Sequence, residues 1–207
     1  MAGFQDARAT EVRRGTGKAE MSTHDKLVRA AASLLDAGGE QALTLRAVGH
    51  AAGVSHNAPY KHYRNRDALL AAVATADLES LTTTFADIRV SAQAPRDKLL
   101  ATLSTLVSFS RERPARYRLV FSAPALARMH SDLQTQSTAC LSEIMAMVED
   151  CKKADVLPDA PTKSLASLFL ATMHGLVTME ANGLLSREKG LPTVEENIAL
   201  MVSLVLS

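Results

Sequence analysis

The chain predicts an all-α fold in two parts: an N-terminal three-helix helix-turn-helix domain and a larger C-terminal helical domain. Three observations carry that expectation. Apolar residues recur three and four apart over most of the chain, and no stretch alternates with the period of two that a half-buried strand needs. Proline and paired glycine fall where those patterns start and stop. Residues 44–66 hold two short helical patterns joined by Ala52-Gly53-Val54, where glycine supplies the backbone freedom of a tight helix–helix corner.

In chain order, residues 1–22 are polar, aperiodic and rich in Gly, Arg and Glu, which predicts a flexible basic arm carrying Arg13, Arg14 and Lys18. Ser22 or Thr23 can cap a helix from about His24 to Ala37, with Leu27, Ala30, Ala31, Leu34 and Leu35 on one face; Gly38-Gly39 ends it. Next come the two short helices, the first with Leu45, Val48, Ala51 and Ala52 apolar, the second capped by Ser55. With that cap, Pro59 falls just past the first turn and should remove one helical bond. Asn65 caps a fourth helix through Leu69, Leu70, Val73 and Leu78 to about Ala86. Pro95 opens a helix carrying Leu99, Leu103, Leu106 and Phe109. A short helix follows from Pro114 to Phe121, and a long one is expected from Pro124 to about Ala154.

The last two helices are unusual. Thr162–Leu185 is apolar around most of its girth, with Leu165, Leu168, Phe169, Leu176 and Met179 in one stripe. Val194–Leu206 repeats the pattern with Ile198, Met201 and Val205. Such helices need burial on more than one side. The chain's own core covers one side, and a second copy of the chain is the natural cover for the other, in a four-helix homodimer interface.

Charge is uneven although the net is only +1. Residues 1–66 hold ten Lys/Arg against six Asp/Glu, and the remainder is mildly acidic. No acid lies between Glu40 and Asp67, while Arg46, Lys61, Arg64 and Arg66 lie there with three histidines. An acid-free basic segment on a helix-turn-helix is what phosphate contacts require. His56 and Asn57, at the exposed start of the second helix, can bond base edges; Lys61 can reach a base or a phosphate, and Pro59 can touch a thymine methyl.

The order Thr44-Leu45-Arg46, Ala52-Gly53-Val54-Ser55, Tyr60-x-His62-Tyr63 and Arg66-Asp67-Ala68-Leu69-Leu70 resembles the DNA-binding domain of TetR-type transcriptional regulators, over roughly Lys26 to Ala72. Two positions depart from that pattern: Pro59 stands where the family more often has Leu, and Gly49 replaces a usual Ala. The resemblance implies a homodimer that binds an inverted-repeat operator in double-stranded DNA and is released by a small-molecule effector, most often as a repressor. It also implies phosphate contacts from Thr44, Tyr60, His62 and Arg66. A shorter segment, Leu170 to Glu180, resembles the Trp-His-Gly signature of one C-terminal subclass, with Met173 in the Trp position.

The expected organisation is therefore an arm (1–22), a helix-turn-helix DNA-binding domain (23–70) and a helical ligand-binding and dimerisation domain (71–207). A pocket in the last should be apolar with a few polar groups, and Phe109, Arg116, Tyr117, Phe121, Met129, Met145, Met173 and His174 are its candidates. No cofactor and no metal is expected, because Cys140 and Cys151 form neither a CxxC nor a Cys/His ligand spacing. No Gly-rich phosphate loop or nucleophile motif supports an enzyme. The longest apolar stretch, Leu165 to Met179, is short of the ~20 residues a membrane span needs, and no signal peptide is evident, so a cytoplasmic location is expected. The alternative reading is a ligand-binding or scaffolding helical dimer that has lost DNA binding.

Overall fold

A computed structural model describes residues 21–205 except residue 123, without the side chains of Ser122 and Pro124. Residues 1–20 of the expected basic arm, with Arg13, Arg14 and Lys18, and Leu206, the expected end of the last helix, lie outside the described residues. The described residues form ten α-helices and no strand: α1 (Thr23–Gly38), α2 (Leu45–Ala51), α3 (Ala58–His62), α4 (Arg66–Val90), α5 (Pro95–Glu112), α6 (Pro114–Ser122), α7 (Pro124–Met129), α8 (Ser131–Lys153), α9 (Thr162–Ala181) and α10 (Val194–Val205). None of these helices is long and apolar enough to cross a membrane.

Side-chain caps fix four of the starts, the last being α10, where Thr193 Oγ1 accepts from the Glu196 N–H and Glu196 Oε2 from the Thr193 N–H. Ser22 Oγ accepts from the Asp25 N–H, Thr44 Oγ1 from the Ala47 N–H, and Asn65 Oδ1 from the Ala68 N–H. Each satisfies one backbone donor that a helix start leaves open. Pro95 sits in the first turn of α5, where its missing N–H costs nothing.

α1, α2, α3 and the start of α4 close around Leu27, Ala31, Leu35, Leu43, Val48 and Leu69, forming a small head whose apolar interior is continuous with that of the body. α4 leaves that head as one unbroken helix and lies along α8, its most extensive partner. The body core is built from Phe85, Leu99, Leu103, Leu106, Met147, Phe169, Met173 and Ile198. α6 touches α1, α4 and α5, so it bridges head and body.

Four expectations change. α3 begins at Ala58 with Asn57 at its cap, because the Ala58 N–H bonds the Ser55 carbonyl in a preceding turn at 2.9 Å. Ser55 is therefore not the cap, and Pro59 sits within the first turn, where it removes no helical bond. α4 runs on to Val90, one turn past the end expected near Ala86. The expected helix from Pro124 breaks at His130, whose backbone is extended, and restarts at Ser131-Asp132 with an acid in its first turn. α9 ends at Ala181 rather than Leu185, with Gly183 at φ +66°.

Candidate nucleic-acid interface and body cluster

The turn and α3 present Ser55, His56, Asn57, Tyr60, Lys61, His62 and Arg64 to solvent. The Tyr60 side chain, 54% exposed, lies with its ring 5.9 Å from that of His56. Thr44, Arg46, His50 and His56 border an adjoining cleft of about 470 Å³, so the Arg46 cation and the Thr44 hydroxyl share that cleft with His56 of the turn before α3.

Pro59 is buried and does not belong to that face. Its ring packs on Gly49 of α2: a Cβ at Gly49 would lie 2.8 Å from Pro59 Cγ and 3.3 Å from Cδ. The two departures noted in the sequence are thus one interlock, the missing methyl on α2 making room for the proline ring on α3. The thymine-methyl contact expected of Pro59 is withdrawn, because that surface is already covered.

Arg66 is also committed elsewhere. Its Nε donates to the Leu43 carbonyl at 3.1 Å, and its Nη2 to the Glu40 carbonyl at 2.6 Å and to Glu40 Oε2 at 3.1 Å. It pins the start of α4 to the segment before α2. His62 is exposed but packs edge-on to His24 at 6.4 Å and lies 6.3 Å from the ring of Tyr63, which is core.

In the body, five of the eight pocket candidates meet. Tyr117 Oη hydrogen-bonds His174 Nδ1 and lies 4.0 Å from Met173 Sδ. The Phe121 ring is 4.8 Å from His174 and 4.9 Å from Tyr117, and Phe109 is 6.3 Å from Tyr117. Burial lowers the His174 pKa, which favours the neutral imidazole, and pushes the Tyr117 phenol up to about 12. The result is a neutral polar pair inside an aromatic cluster. Met145 is half-buried on α8, and Met129 is 60% exposed on α7; neither joins the cluster.

Arg116 points the other way. Its Nε donates to Asp77 Oδ2 at 2.9 Å, its Nη2 to Asp77 Oδ1, and its Nη1 to Asp36 Oδ2 at 3.1 Å. Asp77 is 3% exposed and belongs to α4; Asp36 is in the last turns of α1. Arg116 is therefore a strap between body and head and not a pocket wall. The sequence held a signal for its partner: Asp77 shares a helix face with apolar Val73, Ala74, Leu78 and Leu81, while Glu79 falls on the other side, and a buried acid needs a partner.

Leu165, Phe169 and Ile198 lie in the chain's own core and leave the expected dimer surface. Leu176, Met201 and Val205 are half-buried, whereas Leu168 and Met179 are exposed together with Leu200. Both thiols are buried, and burial pushes each up to about 11. No cluster of three or more His, Cys, Asp or Glu able to hold a metal occurs among the described residues.

A helix-turn-helix head with an exposed basic face, carried by a helical body with a polar aromatic cluster, defines a helical DNA-binding transcriptional regulator. The comparisons with known proteins agree. Residues 27–73 match the family of bacterial regulatory proteins of the tetR type, and residues 99–204 match the tetracyclin repressor-like C-terminal domain. The chain belongs to the TetR family of transcriptional regulators. It is similar to a structure of a protein of unknown function from Rhodococcus sp. RHA1, at 26% identity over 92% of this chain and 97% of that one, with a TM-score of 0.78. It shares its fold with the fatty acid degradation regulator FadR from Bacillus halodurans, at 13% identity over 92% and 97% of the two chains and a TM-score of 0.69. It also shares it with a TetR family transcription regulator from Marinobacter aquaeolei VT8, at 19% identity over 89% and 93% and a TM-score of 0.63. No curated protein matches the chain.

Proposed function

We propose that the protein is a ligand-responsive repressor, active in the cytoplasm, that binds an inverted-repeat operator as a homodimer and is released by a small amphipathic molecule in the body. The observation that carries this reading is the exposed set His56, Asn57, Tyr60 and Lys61 on a head strapped to the body through Arg116. Asn57 and His56 bond base edges. Lys61, Tyr60, Arg46 and the Thr44 hydroxyl hold phosphates. α3 has only five residues, so one head reads few base pairs, and two heads related by a two-fold axis read an inverted repeat. Leu168 and Met179 on α9, with Leu200 on α10, supply apolar surface for pairing.

The effector takes its place beside Tyr117, His174 and Phe121. Tyr117 follows Arg116 directly, so a molecule that displaces Tyr117 from His174 also moves the strap. An effector that prefers the displaced arrangement weakens operator binding by the same factor as the operator weakens effector binding, typically ~1–3 kcal/mol. Selection of bound fragments from genomic DNA, followed by footprinting, tests the first part. A protected two-fold-symmetric sequence supports it; salt-insensitive or absent binding contradicts it. A small-molecule screen read by operator release tests the second part, and ligands that bind without changing operator affinity count against it.

A further inference from the structure

Between head and body lies a groove that shares only His62 with the exposed α3 face and no residue with the Tyr117–His174 cluster. Its volume is about 820 Å³, and it is walled by the start of α1, the end of α3 and the α7–α8 junction. That size suits a small molecule. Its floor is α4, where Ala68, Ala71, Ala72 and Ala76 offer methyl groups and the Thr75 hydroxyl is turned back onto the Ala71 carbonyl at 2.8 Å, so the floor admits a flat body.

Tyr63 lines the head side of this groove. It is 6% exposed, and its hydroxyl is buried with no hydrogen-bond partner. Native proteins leave few such groups unmade, because an unpaired buried hydroxyl is costly. Burial pushes this phenol up to about 12, so it stands as a protonated donor. The rings of His24 and His62 flank it at 5.8 and 6.3 Å and complete an aromatic end wall. At the far side α8 begins without a side-chain cap from His130, leaving first-turn amides as further donors, with Asp132 in the same turn. Asp25, Glu79 and the cationic Arg29 also line the groove.

We propose that this groove is a second small-molecule site, separate from the body cluster, for a flat aromatic compound carrying a carbonyl or carboxylate oxygen. Its ring lies on the alanine floor against the aromatic wall, and its oxygen accepts from the Tyr63 hydroxyl. The groove is bounded by α1 and α3 on one side and by α7 and α8 on the other. Its occupant therefore fixes the angle between head and body, and shifts DNA affinity to the extent that it prefers one angle.

The test uses the full chain and two probes, 2-naphthoate and the neutral 2-acetylnaphthalene, followed by saturation-transfer NMR and fluorescence titration. At least one probe is expected to bind. Binding by the naphthoate alone assigns a carboxylate ligand, and binding by the ketone assigns a neutral one. Ala72→Leu, or Ala76→Leu if the first unfolds, fills the floor and should abolish binding. Tyr63→Phe should weaken binding roughly three- to tenfold, the size of one hydrogen bond, while raising the thermal midpoint by removing the unpaired hydroxyl. Tyr117→Phe should leave probe affinity unchanged. The proposal is overturned if neither probe binds at millimolar concentration, if binding survives the filled floor, or if Tyr63→Phe gains stability without losing affinity. These readouts use no DNA, so failure here leaves the repressor reading standing.

Discussion

Gly49→Ala tests the interlock between the two helices of the DNA-binding motif. Replacing glycine by alanine inside a helix ordinarily stabilises by about 0.5–1 kcal/mol. Here the new Cβ would lie 2.8 Å from Pro59 Cγ and 3.3 Å from Cδ. A proline ring is tied to its own backbone and cannot swing aside, so α3 itself must move by several tenths of an ångström. Overpacking of that kind costs about 1–3 kcal/mol, which outweighs the propensity gain. The expected net effect is a loss of up to ~2 kcal/mol, together with weaker operator binding, because the displaced helix carries Asn57 at its cap and Lys61. In a Pro59→Ala background the ring is gone, and the same Gly49→Ala should stabilise. Urea denaturation of the four proteins gives the double-mutant cycle, with an expected coupling of about 1–3 kcal/mol. If Gly49→Ala stabilises in the presence of Pro59, the interlock is not what sets the α2–α3 packing.

Arg116→Ala should cost about 3–5 kcal/mol, since it leaves Asp77, 3% exposed, buried without its partner. Adding Asp77→Asn should recover part of that loss in the same denaturation assay, and an effect below ~1 kcal/mol would sink the strap. His174 has a folded pKa lowered by burial from an ordinary value of 6.5. The unfolded chain therefore binds the proton more readily, and stability should fall as pH drops below about 6.5. A His174→Gln variant should lose that part of the slope when unfolding is compared at pH 7.5 and 5.5; an unchanged slope would contradict the assignment. Leu168→Glu and Met179→Glu, at side chains 49% and 41% exposed, should give folded monomers by sedimentation, whereas Ile198→Glu, at 2%, should unfold the chain. Folded dimers from the first two would move the interface elsewhere.

Local chemistry made most of the helix starts readable. Asn65 caps where it was expected to, and Ser22 is one of the two caps offered for α1; the Thr44 cap was not read from the sequence, where Thr44 stood only as a phosphate contact. Ser55 misled, because the same residue type also opens turns, and the turn before Ala58 took its carbonyl. Tyr117 and His174 were legible as polar groups in apolar helices. Asp77's need for a partner was legible, but Arg116 was not assignable as that partner, since neighbours on a helix point about 100° apart and the sequence does not say which direction faces the head. The stripe on α9 failed for a related reason. A helix apolar all round does not reveal which side its own core takes, and the core took Leu165 and Phe169 while leaving Leu168 and Met179 outside. The groove beside Tyr63 was not legible as a whole, being made by α1, α3, α4, α7 and α8 together, although Met129, named as a pocket candidate, lines it.

The central claim is that α3 reads DNA, with base contacts and phosphate contacts held by different residues. The direct measurement compares Asn57→Ala with Lys61→Ala on the selected operator and on scrambled DNA, across a range of salt. Asn57→Ala should cost about 1–3 kcal/mol on the operator and little on scrambled DNA. Lys61→Ala should weaken both DNAs alike and lower the salt slope by about one per half-site. Loss of sequence preference from Lys61→Ala with uniform weakening from Asn57→Ala would reverse the two roles, and binding unchanged by either would remove α3 from the interface.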